Sequence, residues 1–382
     1  MNRPYYLWIS VLQTLLRVFP FPCRTGLRKL GNPGRDSPVL LTCNFRLTVE
    51  RIRHALQGID AFLLVANSRG VNVWCAATGG LLTNHDVISV LKTSGIGELV
   101  NHRQVILPQL AATGVEGNVI HQKAGWQVVW GPVYANSISD FLSGGLEKTS
   151  EMRTVTFRWP QRLEMAIAWA FPISLLSLAV WPFWKAGVLP LATIVWVGSL
   201  ILFLGFPLYE RWLRGTGKAV GFVFFTFGER GVPLLLWFLF VLGLVGYQLI
   251  SGEFSWPPVL RWGLASFVAL LILGIDISGS TPTYKGSLQE DRLLRIVLDP
   301  ELCQGVGTCE EVCPTNVIDV DREHCSAALV RTEACVQCGA CIVQCPLDAL
   351  SFVGPHGDFV TPDSVRRFKL NMLGSRRRPV AA

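Results

Sequence analysis

Cys335-Val-Gln-Cys338-Gly-Ala-Cys341-Ile-Val-Gln-Cys345-Pro346 is the stretch that decides the fold of the C-terminal part of this chain. Its C-x2-C-x2-C-x3-C-P spacing lets three thiolates of one loop hold a [4Fe–4S] cluster, while the fourth cysteine serves the other cluster of a pair. Zinc sites more often use two separated C-x2-C pairs, so zinc is the weaker alternative. The stretch therefore predicts an iron–sulfur domain.

A matching run lies upstream and reads Cys303-Gln-Gly-Val306-Gly-Thr-Cys309-Glu-Glu-Val-Cys313-Pro314. Its second ligand position holds a valine in place of a cysteine. Fourth ligands cross between such runs, which predicts one [4Fe–4S] cluster on Cys335, Cys338, Cys341 and Cys313. The thiolates left for a second cluster are Cys303, Cys309 and Cys345.

The second site has only three thiolates, and its occupant is open. It can hold [3Fe–4S], it can hold [4Fe–4S] with an outside ligand, or it can stay empty. Cys325 lies between the two runs and could substitute for the missing ligand at Val306. Cys23 and Cys43 stand alone in the sequence, and we expect them to be core thiols.

The composition excludes a disordered chain and argues against a wholly soluble one. Of 382 residues, 50% are hydrophobic and 16% are charged, where about a quarter is typical of soluble proteins. The net charge of +7 is concentrated at one end, because residues 361–382 contain six Lys or Arg and one acid. Because the positive charge is confined to a tail, the composition does not favour a nucleic-acid partner.

The apolar residues concentrate between 160 and 280. Three stretches there carry no charged residue, and each is long enough to cross a hydrocarbon core of about 30 Å as a helix. A fourth is interrupted only by Arg261, whose long side chain can reach the interface. Ala219–Gly228 is too short to span alone and is either a re-entrant piece or half of a fifth helix. The four predicted transmembrane helices are 165–184, 186–209, 231–252 and 254–275.

The charges of the loops predict an orientation. The loop at 210–218 contains Arg211, Arg214 and Lys218, whereas the loops on the other side contain only Lys185 and Arg261. The positive-inside rule puts the more basic loop in the cytoplasm. With four helices both soluble ends are then cytoplasmic, where thiols stay reduced. This predicts a multi-pass protein of the cytoplasmic membrane.

Residues 38–150 are expected to form a Rossmann-like α/β domain, preceded by an N-terminal segment, 1–37, that either lies at the membrane interface or packs on the next domain. Strand-length apolar runs alternate with helix-like segments, as in βαβ units on a mostly parallel sheet. Such sheets bind ligands beyond the carboxyl ends of their strands. The predicted strands are Pro38–Cys43, Ala61–Ala66, Gln104–Pro108 and Trp126–Val133, and the predicted helices are Val49–Leu56, Asn84–Thr93 and Glu116–Ala124.

One motif follows the predicted strand at 61–66 and reads Gly70-Val-Asn72-Val-Trp74-Cys75-Ala76-Ala77-Thr78-Gly79-Gly80. It places a thiol on a short apolar helix at the carboxyl end of a strand. A buried structural cysteine is the commoner explanation of such a thiol, because free cysteine is among the most buried residue types.

Three segments resemble the mercury-methylating corrinoid protein family, which is related to the corrinoid iron–sulfur protein of acetyl-CoA synthesis. They are Asn72–Ala77, which looks like the cap-helix signature of that family, Asn101–Leu110 and Val129–Val133. The family joins a corrinoid domain to membrane helices and works with a small dicluster ferredoxin. Because residues 290–355 resemble the dicluster bacterial ferredoxin family, both partners look fused in this divergent chain.

The resemblance implies a catalytic role for Cys75 as the lower axial ligand of a cobalt corrinoid. The implied cofactor-binding residues are Asn72, Val73, Trp74, Cys75, Ala76 and Ala77. The corrinoid would supply the chemistry and the protein its ligand, orientation and burial. A ferredoxin-like α+β domain at 290–355, followed by a basic tail at 356–382, would keep the cobalt reduced with low-potential electrons.

Two hypotheses about function result. The first is a membrane-anchored corrinoid iron–sulfur protein, a candidate methyltransferase whose methyl acceptor is open, with mercury among the options. The alternative is a membrane-bound [4Fe–4S] electron-transfer protein without corrinoid activity. The expected partners of the first are membrane lipid, a low-potential electron donor, and a methyl donor protein or cofactor.

Overall fold

The computed structural model describes residues 3–17, 19–213, 227–277, 294–354 and 357–368. The chain forms two compact units. The first comprises Met1–Ser10, Pro20–Val155 and Leu294–Ala382, and the second comprises Val11–Phe19 and Thr156–Leu293. The α/β part and the cysteine-rich part therefore share one unit, although the apolar region separates them in sequence.

The α/β part alternates strands and helices. Its strands are β1 (Gly26–Leu30), β2 (Val39–Cys43), β3 (Ala61–Ala66), β4 (Gln104–Pro108) and β5 (Gln127–Gly131). The α-helices that begin before residue 156 are α1 (Arg3–Leu15), α2 (Arg46–Ala55), α3 (Val73–Thr78), α4 (Asn84–Thr93), α5 (Ile96–Leu99), α6 (Gly117–Ala124), α7 (Ile138–Ser143) and α8 (Ser150–Arg153).

The five strands form one sheet in the order β1-β3-β2-β4-β5. Strands β2 to β5 run parallel, and β1 pairs with β3 antiparallel. Every residue of β2 and β3 is buried, which is why both are continuous apolar runs. The strand order reverses between β2 and β4, and the crevice at such a reversal is where open α/β sheets bind ligands.

The predicted mixed α/β organisation is confirmed, and one helix has its predicted bounds. Helix α4 begins after Thr83, whose backbone N–H donates to Asp86 Oδ2 at 2.9 Å. Strand β1 was not predicted and falls in the segment 1–37. Its polar residues Arg28 and Lys29 and its length of 5 residues are typical of edge strands, which charged side chains protect from further pairing. Cys43, an expected core thiol, is fully buried.

The second unit is helical. Among its described residues, four segments are long and apolar enough to cross a membrane, namely Trp159–Val180, Lys185–Leu204, Pro233–Ser251 and Trp256–Gly274. These segments agree in approximate position with the four predicted helices. Most of Ala219–Gly228, with Arg214 and Lys218, lies outside the described residues. The helices are α9 (Trp159–Leu176), α10 (Val188–Leu204), α11 (Phe206–Leu213), α12 (Phe227–Ser251) and α13 (Trp256–Ile277).

The cysteine-rich part combines short strands and helices. Strands β6 (Arg295–Leu298), β9 (Leu350–Val353) and β10 (Phe359–Val360) form an antiparallel sheet, and β7 (Ile318–Asp321) pairs with β8 (Ser326–Leu329). The helices are α14 (Thr308–Val312), α15 (Ala340–Gln344) and α16 (Pro362–Phe368). Of the basic tail, residues 357–368 are described.

Candidate functional site

The two cysteine runs fold in the same way. Gly307, with φ 89°, precedes α14, and Gly339, with φ 72°, precedes α15. Both glycines have a left-handed backbone, which costs glycine little. The third ligand position of each run, Cys309 or Cys341, lies in the helix, and the fourth, Cys313 or Cys345, ends it. This repeat lets each run curl around one site and send its last thiol to the other.

The thiols are grouped as the crossed arrangement requires. Cys309 interacts electrostatically with Cys345 and Cys303, whereas Cys338 interacts with Cys313 and Cys335. Cys341 is close to the second group and also to Cys309. The donors thus fit two neighbouring sites. Among the described residues no three Cys, His, Asp or Glu side chains are arranged to hold a single metal ion.

Burial changes the acidity of these thiols. Burial, with a smaller contribution from the neighbouring thiols Cys345 and Cys303, raises the pKa of Cys309 to about 11. The pKa values of Cys338 and Cys341 are raised above their usual range by the same two causes. The backbone N–H of Val317 donates to Cys313 Sγ at 3.2 Å. Because metal ligation needs thiolates, the binding of iron must offset the free-energy cost of deprotonating these buried thiols.

The site on Cys303, Cys309 and Cys345 is open where the fourth ligand is missing. Val306 is 57% exposed. The backbone of Cys325 packs against Gly305, the residue before Val306. A Cβ added to Gly305 would lie 2.7 Å from Cys325 Cα. The Cys325 side chain is exposed, and its Sγ is 3.8 Å from the Arg322 carbonyl oxygen. Cys325 is therefore near the incomplete run, with its thiol turned to its own hairpin turn.

Cys75 lies on α3, and its thiol faces the residue that begins the helix. Asn72 precedes the helix, and its Oδ1 accepts the backbone N–H of Cys75 at 2.9 Å. Its Nδ2 donates to Cys75 Sγ at 3.4 Å. Capping fixes the helix start, and the amide donor favours negative charge on sulfur. Cys75 itself is half-buried.

Helix α3 follows β3 at the carboxyl edge of the sheet, as predicted. The 3-10 turn Gln109–Thr113, which follows β4, packs against it. Ala76 and Ala77 are fully buried, and a Cβ on Gly114 would lie 2.6 Å from the Ala77 carbonyl oxygen. These small residues let the backbone of α3 and that of the segment after β4 approach closely, beside the point between β2 and β4 where the strand order reverses.

Trp74 tests whether a cofactor with polar side groups fits here. It is 8% exposed, and its buried Nε1 has no hydrogen-bond partner within the part of the chain that the structure describes. Buried indole N–H groups usually have one. A corrin ring has amide side chains that could accept this hydrogen bond, so α3 offers both a sulfur ligand and a free donor. Val73 is 8% exposed and belongs to the core beneath the helix.

The cysteine-rich part packs on the α/β part, which was not predicted from the sequence. The backbone N–H of Val155 donates to the Pro314 carbonyl oxygen at 2.8 Å. Arg153 pairs with Glu310 at 3.3 Å, and the Nζ of Lys148 donates to the Glu311 carbonyl oxygen at 2.9 Å. These contacts join residues more than 150 positions apart, and local patterns contain no signal for them.

Family models match both the α/β part and the cysteine-rich part of the chain. Residues 11–142, which include Cys75, match the family model described as CO dehydrogenase/acetyl-CoA synthase delta subunit. Residues 295–346, which include the seven cysteines of the two runs, match the 4Fe-4S dicluster domain. The coarser expectations, a likeness to acetyl-CoA-synthesis proteins and a dicluster ferredoxin domain, are confirmed.

Curated relatives match the α/β part. The acetyl-CoA decarbonylase/synthase complex subunit gamma of Archaeoglobus fulgidus is 37% identical over 125 residues, which are 32% of this chain and 26% of that protein. Subunit gamma 2 of Methanosarcina mazei is 38% identical over 133 residues, 34% of this chain and 27% of that protein. The chain spans about a quarter of the length of these relatives. Its N-terminal part is thus similar to subunit gamma of that complex, and its C-terminal part to a 4Fe-4S dicluster ferredoxin domain.

Proposed function

We propose that this protein is a membrane-anchored corrinoid iron–sulfur protein that takes part in methyl transfer. The observation that carries the proposal is the Cys75 helix at the carboxyl edge of the sheet, where the amide of Asn72 donates a hydrogen bond to the sulfur. This part of the chain is similar in sequence to subunit gamma of the acetyl-CoA decarbonylase/synthase complex. Mercury as methyl acceptor stays a prediction of the sequence.

In this proposal the residues of α3 hold the cofactor. Cys75 would ligate the cobalt, and Asn72 orients it by donating to its Sγ and accepting its backbone N–H. Trp74 would offer its indole N–H to a polar side group of the corrinoid, while the buried Val73, Ala76 and Ala77 pack in the core and hold the helix in place. When bound, the corrinoid supplies the group-transfer chemistry.

The cysteine runs hold two iron–sulfur clusters in this proposal. Cys313, Cys335, Cys338 and Cys341 ligate a [4Fe–4S] cluster, and Cys303, Cys309 and Cys345 ligate a second one of open iron content. When bound, such clusters supply low-potential electrons. An N-terminal corrinoid site and a ferredoxin in one compact unit give those electrons a short route.

The four apolar helices anchor the protein in the cytoplasmic membrane in this proposal. Large apolar side chains of these helices are exposed, with Leu189 75% and Ile250 90% exposed. Lys185 lies 4.9 Å from the ring of Trp181, and Arg261 lies 4.9 Å from that of Trp184. Paired cations and tryptophans are typical of a membrane interface. Both soluble parts then face the cytoplasm.

A Cys75→Ala variant tests the cobalt site. The full-length protein, purified in detergent without oxygen and reconstituted with cobalamin and iron, is compared with the variant. The cobalt absorbance should shift in the variant because the sulfur ligand is gone, while the iron–sulfur absorbance stays. A Cys43→Ala variant, which changes a fully buried thiol of strand β2, is the matched control. An unchanged cobalt spectrum in Cys75→Ala would make Cys75 a packing residue and favour the electron-transfer alternative.

A further inference from the structure

The cysteine-rich part shares a hydrophobic core with the α/β part. Val312 of α14 and Ala340 of α15 are each 1% exposed and belong to the core that includes Val39 and Phe62. Cys338 packs against this same core. The iron–sulfur ligands are therefore built onto the sheet domain.

Gln344 makes the polar contact at the centre of this interface. It lies between the ligands Cys341 and Cys345, is 6% exposed, and has its whole amide satisfied by the α/β part. Its Nε2 donates to the carbonyl oxygens of Ala112 at 2.7 Å and Val115 at 2.6 Å. Its Oε1 accepts the backbone N–H of Gly117 at 3.1 Å.

The loop that Gln344 holds is the one that contacts the Cys75 helix. In sequence, Gly114 lies between Ala112 and Val115, whose carbonyl groups Gln344 binds. The Cα of Gly114 faces α3. A Cβ there would lie 2.6 Å from the Ala77 carbonyl oxygen and 2.8 Å from that of Leu82. With no space for a methyl group, movement of the loop has to move α3 or separate from it.

We propose that Gln344 is a positioning residue that couples the Cys335–Cys345 run to Cys75 through the loop 112–115. The inference rests on the proposed function for the importance of Cys75, but the coupling itself concerns only this chain. Iron held by the run fixes α15, α15 fixes the loop through the Gln344 amide, and the loop fixes α3. Removal of that amide leaves two buried carbonyl groups unpaired, which favours local opening.

The test measures the alkylation rate of Cys75 in the full-length, iron-loaded protein in detergent. After quenching, peptide mass spectrometry follows residues 70–92, the tryptic peptide in which Cys75 is the sole cysteine. We expect Gln344→Ala to raise the rate about tenfold. Gln344→Met, which keeps the volume but not the hydrogen bonds, should act alike. Gln304→Ala, at an exposed position beside Cys303, should leave the rate unchanged.

Removal of iron with a chelator separates coupling from a merely structural role. Stripping should raise the Cys75 rate in the wild type but add little in Gln344→Ala, where the connection is already broken. An unchanged rate in the stripped wild type, or an equal rise in both proteins, would overturn the proposal. Because no corrinoid is present, the outcome is independent of whether cobalt binds.

Coupling is reciprocal, so a change at the other end provides a second test. Gly114→Ala forces a methyl group against α3 while leaving Gln344 and every cysteine intact. It should speed iron loss to a chelator, relative to Gly34→Ala, whose position has nothing within 4 Å of an added Cβ and, like Gly114, has no positive φ. Equal iron loss from both variants would contradict the coupling.

Discussion

At the scale of single residues, Asn72 sets the state of the Cys75 thiol. An Asn72→Asp change keeps the acceptor for the Cys75 N–H but replaces the amide that donates to Sγ with a carboxylate. The negative charge disfavours the thiolate, which is the reactive form. We expect alkylation of Cys75 at neutral pH to slow about three- to tenfold. Asn101→Asp, at an exposed position, is the control, and an equal effect of both variants would contradict this role.

Val306 leaves the proposed second site one thiolate short of four. A Val306→Cys variant places a thiol at that position, and the iron that leaves first under a chelator should then leave more slowly. Val330→Cys, another exposed apolar position at 46%, is the matched control. Iron release at the wild-type rate from Val306→Cys would show that the site is empty or already complete.

At the scale of elements, the buried Lys148 makes stability depend on pH at the interface between the α/β part and the cysteine-rich part. Its side chain is 3% exposed, and its Nζ donates to Gln109 Oε1 at 3.0 Å and to the Glu311 carbonyl oxygen at 2.9 Å. Burial lowers the pKa of Lys148 to about 7, although the Glu311 carboxylate, 3.8 Å away, opposes the shift.

The pH dependence of stability follows from this lowered pKa. From about pH 7 to the ordinary value of 10.5, the unfolded chain binds a proton that the folded chain lacks, so stability rises with pH by about 1 kcal/mol per unit. Lys148→Met should flatten this slope in thermal unfolding at pH 7 to 9, and Lys123→Met, at an exposed position, should not. A wild-type slope in Lys148→Met would contradict the assignment.

Elements with local patterns were predictable, and those with distant partners were not. Helix α4 and strands β3 and β4 follow from continuous apolar runs and a capping residue, and the cysteine spacing defines its own loops. Strand β1 is too short and too polar to stand out, and only its pairing with β3 defines it. Gln344 looks like an ordinary polar residue, because its partners lie more than 220 positions away.

At the scale of the whole molecule, the membrane orientation is a prediction from loop charge. With native thiols facing the cytoplasm, a Lys185→Cys variant should react with an impermeant maleimide added to intact cells. A cysteine at Ser150, in α8 of the first unit, should react only after lysis. Labelling of the Ser150→Cys variant in intact cells would contradict the orientation with both soluble parts inside.

The association of the two soluble parts could not be read from composition or spacing. The sequence separates them by the apolar region, yet they form one unit. Because buried contacts such as Val155 with Pro314 depend on the folded surfaces of both parts, they appear only once each part is built. The N-terminal resemblance and the cysteine runs predicted the two sites separately.

The measurement that tests the central claim most directly is the cobalt and iron content of the full-length protein, purified without oxygen in detergent and reconstituted with corrinoid and iron. The account predicts near-stoichiometric cobalt together with about seven or eight iron atoms per chain. Iron without cobalt would contradict the corrinoid site and would leave a membrane-bound electron-transfer protein.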